Sequence, residues 1–218
     1  MIPILCVVGK SGVGKTYVME KLIAELKGRS YQVATVKHSE SGFEMDKEGK
    51  DTWRHARAGS DAVTISSPQK IAIIRKVDRD YTLAELQRLI GPDFDIILAE
   101  GFTQDKAPKI EVHRKGFDTD LLCTKEELLA IATDEKVDMD VPQYSPDDAR
   151  GLVDLIEKRF LAEEKEDTVA LFVNEEMVPL NPFVRSIVSR TIAGMVSTLK
   201  KVAQATSIDI SIRRKEGE

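Results

Sequence analysis

The sequence predicts an α/β fold: a mostly parallel sheet flanked by helices, with a small C-terminal β-β-α-β appendage. Three observations carry this. The run Ile2-Pro3-Ile4-Leu5-Cys6-Val7-Val8 is continuously apolar, which suits a strand buried on both faces. Glycines follow at once and open a segment, Lys15 to Lys27, whose apolar residues Val18, Leu22, Ile23 and Leu26 recur at helical spacing. Strand-like and helix-like segments then alternate to about residue 160, the pattern of a layered α/β domain.

Each element has a local reason. Pro3 is tolerated near a strand's start, and Gly28 reads as the stop of the first helix. Gln32 to Lys37 reads as the second strand, completing a right-handed βαβ unit. Ser39 to Gly59 is polar and aperiodic, a long loop with a helical turn near Thr52 to Ala58. Asp61 to Ser66 and Ile71 to Val77 read as short strands. Thr82 to Ile90 reads as a helix with Thr82 and Glu85 as its capping box. Asp95 to Ala99, Lys109 to Val112 and Leu129 to Thr133 are strand candidates. Ser145 to Phe160 reads as a helix, with Ser145 as N-cap and Pro146 at its first position.

The composition shifts near Ala162, where Glu163-Glu164-Lys165-Glu166-Asp167 reads as a charged linker. The domains expected are therefore 1–162 and 167–218. The second would hold a strand (Thr168 to Val173), a turn and a helix started by Asn181 and Pro182. Val184, Val188, Ile192, Met195, Leu199 and Val202 form that helix's apolar stripe. Ile208, Ile210 and Ile212 alternate with polar residues between Ser207 and Arg213, which predicts a half-buried strand.

Composition excludes several function classes. The 218 residues carry 32 Lys and Arg against 37 Asp and Glu, a net charge of -5. A general nucleic-acid binder would carry a basic surplus instead. Two cysteines, Cys6 and Cys123, are too few for a disulfide framework or a metal cluster. Cys6 reads as a small core residue. No apolar stretch reaches membrane-spanning length, and the opening run lacks the flanks of a secretory signal. A cytoplasmic protein is expected.

One motif carries chemistry. Gly9-Lys10-Ser11-Gly12-Val13-Gly14-Lys15-Thr16 satisfies G-x-x-x-x-G-K-[ST], directly after a predicted strand and at the opening of a helix. Glycines let successive backbone N–H groups converge on phosphate oxygens, and the helix N-terminus adds positive potential. Lys15 would neutralise the β- and γ-phosphates, and the Thr16 hydroxyl would ligate Mg²⁺. Tyr17, next in line, is counted with the nucleotide-binding set. The bland alternative is an ordinary glycine-rich turn. The motif makes the sheet one of NTPase type.

A magnesium partner is expected at the end of another strand. Asp95 and Glu100 lie five residues apart, about 16 Å along a strand, so only one can approach the phosphates. Ligands bind beyond the carboxyl ends of parallel strands, which selects Glu100. Glu100 would hold Mg²⁺ through a water or orient the attacking water, and Gly101 would let the chain approach a γ-phosphate. In the long loop, Asp46 and Asp51 are candidate outer metal ligands and Lys50 a phosphate contact, against a solvated surface loop. His38 is a candidate general base with no visible partner. Base recognition is weakly signalled. Asn-Lys-x-Asp is absent, and Thr133-Asp134-Glu135-Lys136 reads either as a substitute or as a turn.

Two resemblances add to this. Lys10-Ser11-Gly12-Val13-Gly14-Lys15-Thr16 resembles the deviant P-loop K-G-G-x-G-K-T of dimeric nucleotide-dependent ATPases, with Ser11 departing from it. That likeness implies a Lys10 that reaches a second subunit's phosphates; the alternative is a solvated loop lysine. The ordered set of the P-loop, Val36-Lys37-His38, Asp46 with Gly49-Lys50-Asp51, Ala58-Gly59, Leu98-Ala99-Glu100-Gly101-Phe102 and Pro108-Lys109-Ile110 resembles the molybdopterin-guanine dinucleotide biosynthesis adapter family, MobB. The likeness spans roughly residues 1 to 160.

The MobB likeness implies a P-loop fold that binds GTP with Mg²⁺, hydrolyses it slowly and forms a homodimer. It implies a partner, the guanylyltransferase that joins GMP to molybdopterin, and contact with molybdopterin itself. Gly14, Lys15 and Thr16 would hold phosphate and metal. Lys37, His38, Asp46, Gly49, Lys50, Asp51, Glu100 and Gly101 would form the switch region, with Thr16, Glu100 and Asp46 nearest the metal. The chain departs from the family at Ser39, and segment 167–218 exceeds the short adapter. Two other readings stand beside this one. A small-molecule kinase or ATP-dependent synthetase would use Arg54, His55 and Arg57 at a second substrate. A metallocenter-assembly NTPase would need more His and Cys than the chain carries.

Overall fold

A computed structural model of the chain describes residues 2–39, 41–117, 120–162, 169–174, 176–199, 205 and 207–212. Contacts divide the chain into a main unit, Ile2–Ala162, and a C-terminal unit, Glu163–Glu218. Within the main unit, β1 (Ile4–Val8), β2 (Val33–Lys37), β5 (Ile96–Glu100), β6 (Lys109–His113), β7 (Leu128–Thr133) and β8 (Gln143–Tyr144) form one sheet in the order β2-β5-β1-β6-β7-β8. All its pairings are parallel. This is the α/β sheet that the alternating pattern predicts. A second sheet is the antiparallel hairpin of β3 (Ala62–Ser67) and β4 (Lys70–Arg75).

Side-chain alternation along β1 sorts the core into two layers. Leu5 and Val7 face helices α1 (Lys15–Gly28) and α4 (Ala149–Ile156), where they meet Leu22, Leu26, Leu152 and Ile156. Cys6 and Val8 point the other way, toward Leu83, Ala99 and Cys123. Both faces of the strand are thus covered, which is why its sequence is apolar throughout. Burial pushes the Cys6 thiol up to about 12, with the Asp105 charge adding to it. Charged pairs tie α1 to α4: Arg29 reaches Asp154 at 2.7 Å and Glu157 at 2.6 Å. Among the described residues no helix is long and apolar enough to cross a membrane.

Helix α3 (Leu83–Ile90) carries the expected capping box. The Glu85 N–H donates to Thr82 Oγ1 at 3.3 Å, and the Thr82 N–H donates to Glu85 Oε2 at 2.8 Å. Arg79 adds a 3.0 Å bond from Nη1 to the same oxygen. The Arg79 guanidinium, then the Thr82 N–H, pull the Glu85 carboxyl down to about 2 from its ordinary 4.5. A depressed carboxylate stabilises the fold fully above its ordinary range and loses that contribution as pH falls toward the depressed value. The helix cap is therefore expected to hold at pH 5 and to release between about 4.5 and 2. Carboxyl chemical shifts of Glu85 through an acid titration check this; a midpoint near 4.5 would contradict it.

Several boundaries differ from the sequence reading. Helix α4 is capped by Asp148, whose Oδ1 accepts the Gly151 N–H at 2.9 Å, rather than by Ser145. Ser145 instead closes the preceding turn, its carbonyl accepting the Asp148 N–H at 2.9 Å. The helix then continues as a π-helical turn, Glu157–Leu161. Gly28 lies inside α1, and the left-handed residue after it is Ser30 at φ 68°. The long loop contains α2 (Asp51–Arg57).

In the C-terminal unit, β9 (Leu171–Val173) pairs antiparallel with β10 (Glu176–Val178), and α5 spans Pro182–Ser197. Asn181 caps α5, accepting the Val184 N–H at 2.9 Å, with Pro182 at its first position. Leu199 lies beyond the helix. Residues 207–212 form no strand, although Ile208, Ile210 and Ile212 alternate. Alternation marks which faces a strand would present; a strand also needs a neighbouring edge to bond. The linker 163–167, Thr168, Val202 and Arg213 lie outside the described residues.

Candidate nucleotide site

The site forms where three adjacent strands end. Register sets Glu100 of β5 opposite Val7 of β1 and Lys37 of β2. The chain leaves β1 through Gly9 at φ 141°, where an added Cβ would lie 2.5 Å from the Val112 carbonyl oxygen. Only glycine fits so close to another backbone. Gly14, at φ 102°, then starts α1. The backbone between them curls around Lys15, whose Nζ donates to the carbonyls of Gly9 at 2.8 Å and Lys10 at 2.9 Å.

Glu100 faces this loop. Its carboxylate oxygens lie 3.4 and 3.5 Å from Thr16 Oγ1, and Lys37 Nζ lies 3.3 Å from Oε1. The hydroxyl-to-carboxylate separation exceeds an ordinary O–H···O bond. Both are hard oxygen donors of the kind Mg²⁺ takes, so this pair fits the metal. Asp95 sits at the other end of β5, its carboxylate accepting the Gln32 N–H at 2.8 Å. Beyond Glu100 the chain turns sharply. Gly101 (φ 93°) donates its N–H to the Val7 carbonyl at 3.0 Å, and Phe102 (φ 58°) is left-handed despite its side chain. A bulky residue held there stores about 1 kcal/mol of strain or more, which is typical of functional turns.

His38 closes the same corner. Its N–H donates to the Glu100 carbonyl at 3.1 Å, and its ring lies 5.2 Å from that of Phe102. Its Nε2 is 3.3 Å from Asp80 Oδ2, a partner that sequence reading did not supply because 42 residues separate the two. Tyr17 directs its hydroxyl to Asp147, which also pairs with Lys21 at 2.7 Å. Its side chain thus joins α1 to the turn before α4.

Asp46 accepts from Thr52 Oγ1 at 3.0 Å and from the Lys47 N–H at 2.8 Å, which sets it at the start of α2. Gly49 turns with φ 82°, Lys50 is the extended N-cap residue of α2, and Asp51 is its first residue. Asp51, Arg54, His55 and Ala58 line a shallow depression of about 320 Å³ on that helix. Arg57 lies over the Trp53 ring at 5.1 Å.

The sequence reading missed a buried polar stripe on β6. Lys109, Glu111 and His113 alternate with Ile110 and Val112, and all three are buried. Lys109 Nζ donates to the Asp105 carbonyl and reaches Glu127 at 3.1 Å. Glu111 accepts the N–H groups of Leu122 at 2.7 Å and Cys123 at 3.0 Å. His113 Nε2 lies 3.0 Å from Glu135 Oε1. The available signal was the charged-apolar alternation itself, in a strand that the sheet buries on both sides.

The comparisons with known proteins decide the family. The profile of the family described as "Molybdopterin guanine dinucleotide synthesis protein B", MobB, matches residues 4–134. The chain belongs to the MobB family. A MobB relative from Haemophilus influenzae, named molybdopterin-guanine dinucleotide biosynthesis adapter protein, is 39% identical over 143 residues, covering 64% of this chain and 79% of the relative. The protein of the same name from Escherichia coli is 31% identical over 162 residues, covering 72% of this chain and 92% of that one. The crystal structure of Bacillus subtilis MobB superposes with a TM-score of 0.61 at 28% identity, covering 74% of this chain and all of that one. The matched region contains both the P-loop and the Glu100 strand.

Proposed function

We propose that this chain is a GTP-binding accessory protein with slow GTPase activity. It would serve as an adapter in molybdopterin guanine dinucleotide biosynthesis, assisting the molybdopterin guanylyltransferase. The observation that supports this reading best is the convergence of Lys15, Thr16 and Glu100 at one strand end, with Thr16 Oγ1 3.4 Å from Glu100. The adapter role rests on the names of the relatives. The preference for GTP and the proximity of molybdopterin rest on the family resemblance.

The mechanism follows from the residues. Backbone N–H groups of 9–16 and the N-terminus of α1 bind the phosphates. Lys15 exchanges its two loop carbonyls for phosphate oxygens. Thr16 and Glu100 would hold Mg²⁺, which would supply positive charge against the β- and γ-phosphates. Lys37, ion-paired to Glu100, fixes that carboxylate. His38 and the Gly101–Phe102 turn abut Glu100, so a γ-phosphate contact there passes directly into loop 38–59 as a conformational signal. His38 Nε2 lies 3.3 Å from Asp80 and so is turned away from Glu100.

The homodimer belongs to the same proposal. A lone two-stranded hairpin is marginal in water. The β3–β4 hairpin nonetheless presents Ile71 and Ile73 on one face and Ile65 on the other, each more than half exposed. A second copy would cover this apolar surface, and a sedimentation mass of one chain would contradict that. The adapter role is tested by adding the protein to purified guanylyltransferase with molybdopterin and GTP. Faster dinucleotide formation, lost with Lys15→Ala, is expected; identical progress curves with and without the protein would sink the role.

A further inference from the structure

We propose that the loop after β6 is the nucleoside end of the site, with Phe117 stacking on the nucleobase and Arg114 beside the phosphate nearest the ribose. This deepens the nucleotide reading and rests on it. The argument begins with direction. In the sheet order β2-β5-β1-β6-β7, the metal-side residues Lys37 and Glu100 lie on the β2–β5 side of the P-loop strand. The terminal phosphate therefore lies on that side. A nucleoside triphosphate is a linear chain, so its ribose and base run the opposite way, over β6 and β7. Two strands span about 10 Å in that direction, enough to carry the chain from phosphate to base.

The residues waiting there have suitable chemistry. A Cβ placed on Gly12 would lie 3.6 Å from Cε1 of Phe117, and one placed on Gly14 would lie 4.0 Å from Nη1 of Arg114. The loop thus rests directly against the phosphate-binding turn. Phe117 is 42% exposed although it is a large aromatic. The loop is held in place from β7. Asp134 accepts the Lys115 N–H at 2.7 Å and pairs with Arg114 Nε at 3.7 Å. Asp134 is therefore a positioning residue, and the Thr133-to-Lys136 turn acts by holding the aromatic loop. A π-face accepts any base, so Phe117 supplies affinity without choosing between guanine and adenine.

The test measures Kd for GTP, ATP and inorganic tripolyphosphate, each with Mg²⁺, in the full chain. Phe117→Ala is expected to weaken GTP and ATP alike by about tenfold, to leave tripolyphosphate unchanged, and to be rescued by Phe117→Tyr. Unchanged GTP affinity overturns the proposal and leaves the P-loop reading standing. An equal loss for tripolyphosphate overturns it too, because Phe117 would then only support the loop. If the wild-type chain binds neither nucleotide nor tripolyphosphate, the P-loop reading falls, and this proposal with it.

Discussion

Lys15→Ala is expected to weaken GTP binding on the order of 100-fold, the upper end of what a charged hydrogen bond supplies. The phosphate turn wraps around this ammonium, which bonds to the Gly9 and Lys10 carbonyls. Both carbonyls belong to an open loop, so water replaces the lost donor and the fold is kept. Thermal unfolding should therefore shift little while titration calorimetry shows the loss of binding. Equal GTP affinity in the variant and the wild type would place the phosphates elsewhere. Lys15→Arg is expected to restore charge without restoring affinity, because the guanidinium is too broad for the space between the two carbonyls.

The largest effect on stability is expected at Glu111. The residue is 2% exposed, and its carboxylate accepts two backbone N–H groups, from Leu122 and Cys123. Those residues belong to the segment leading into β7, so one side chain of β6 fixes the path of the next connection. Glu111→Ala leaves both N–H groups without that acceptor and should lower the unfolding free energy by about 2–4 kcal/mol. Glu111→Gln keeps one acceptor oxygen and should recover part of this. Urea unfolding at constant m checks it. A loss below about 1 kcal/mol would show that water replaces the carboxylate, so that the bonds are not stabilising.

Much of the main unit was legible because its signals are local. The apolar run of β1, the spacing in α1 and the Thr82-Glu85 capping box each declare themselves within a few residues. The P-loop declares itself by its motif, and strand direction alone places Glu100 rather than Asp95 at the P-loop end of β5. What was not legible depends on register or on long-range partners. The contacts of Asp46 with Thr52 Oγ1 and the Lys47 N–H depend on how the loop folds at the start of α2, which no local pattern announces. Asp148 took the cap expected of Ser145 because residues 145–148 close a turn first, so the helix begins at Ala149 and Asp148 meets the Gly151 N–H. The β6 stripe was hidden since a buried Lys, Glu and His make sense only with Glu127, the 122–123 backbone and Glu135 in view. The isoleucine alternation at 208–212 shows the converse, a strand pattern with no strand formed.

The most direct measurement of the central claim is competition between GTP and ATP for the full chain, with and without Mg²⁺. The account predicts GTP binding that strengthens with Mg²⁺ and exceeds ATP binding, with hydrolysis well below about one turnover per second. Binding with no dependence on Mg²⁺ would contradict the role of Thr16 and Glu100. A clear preference for ATP would contradict the guanine assignment.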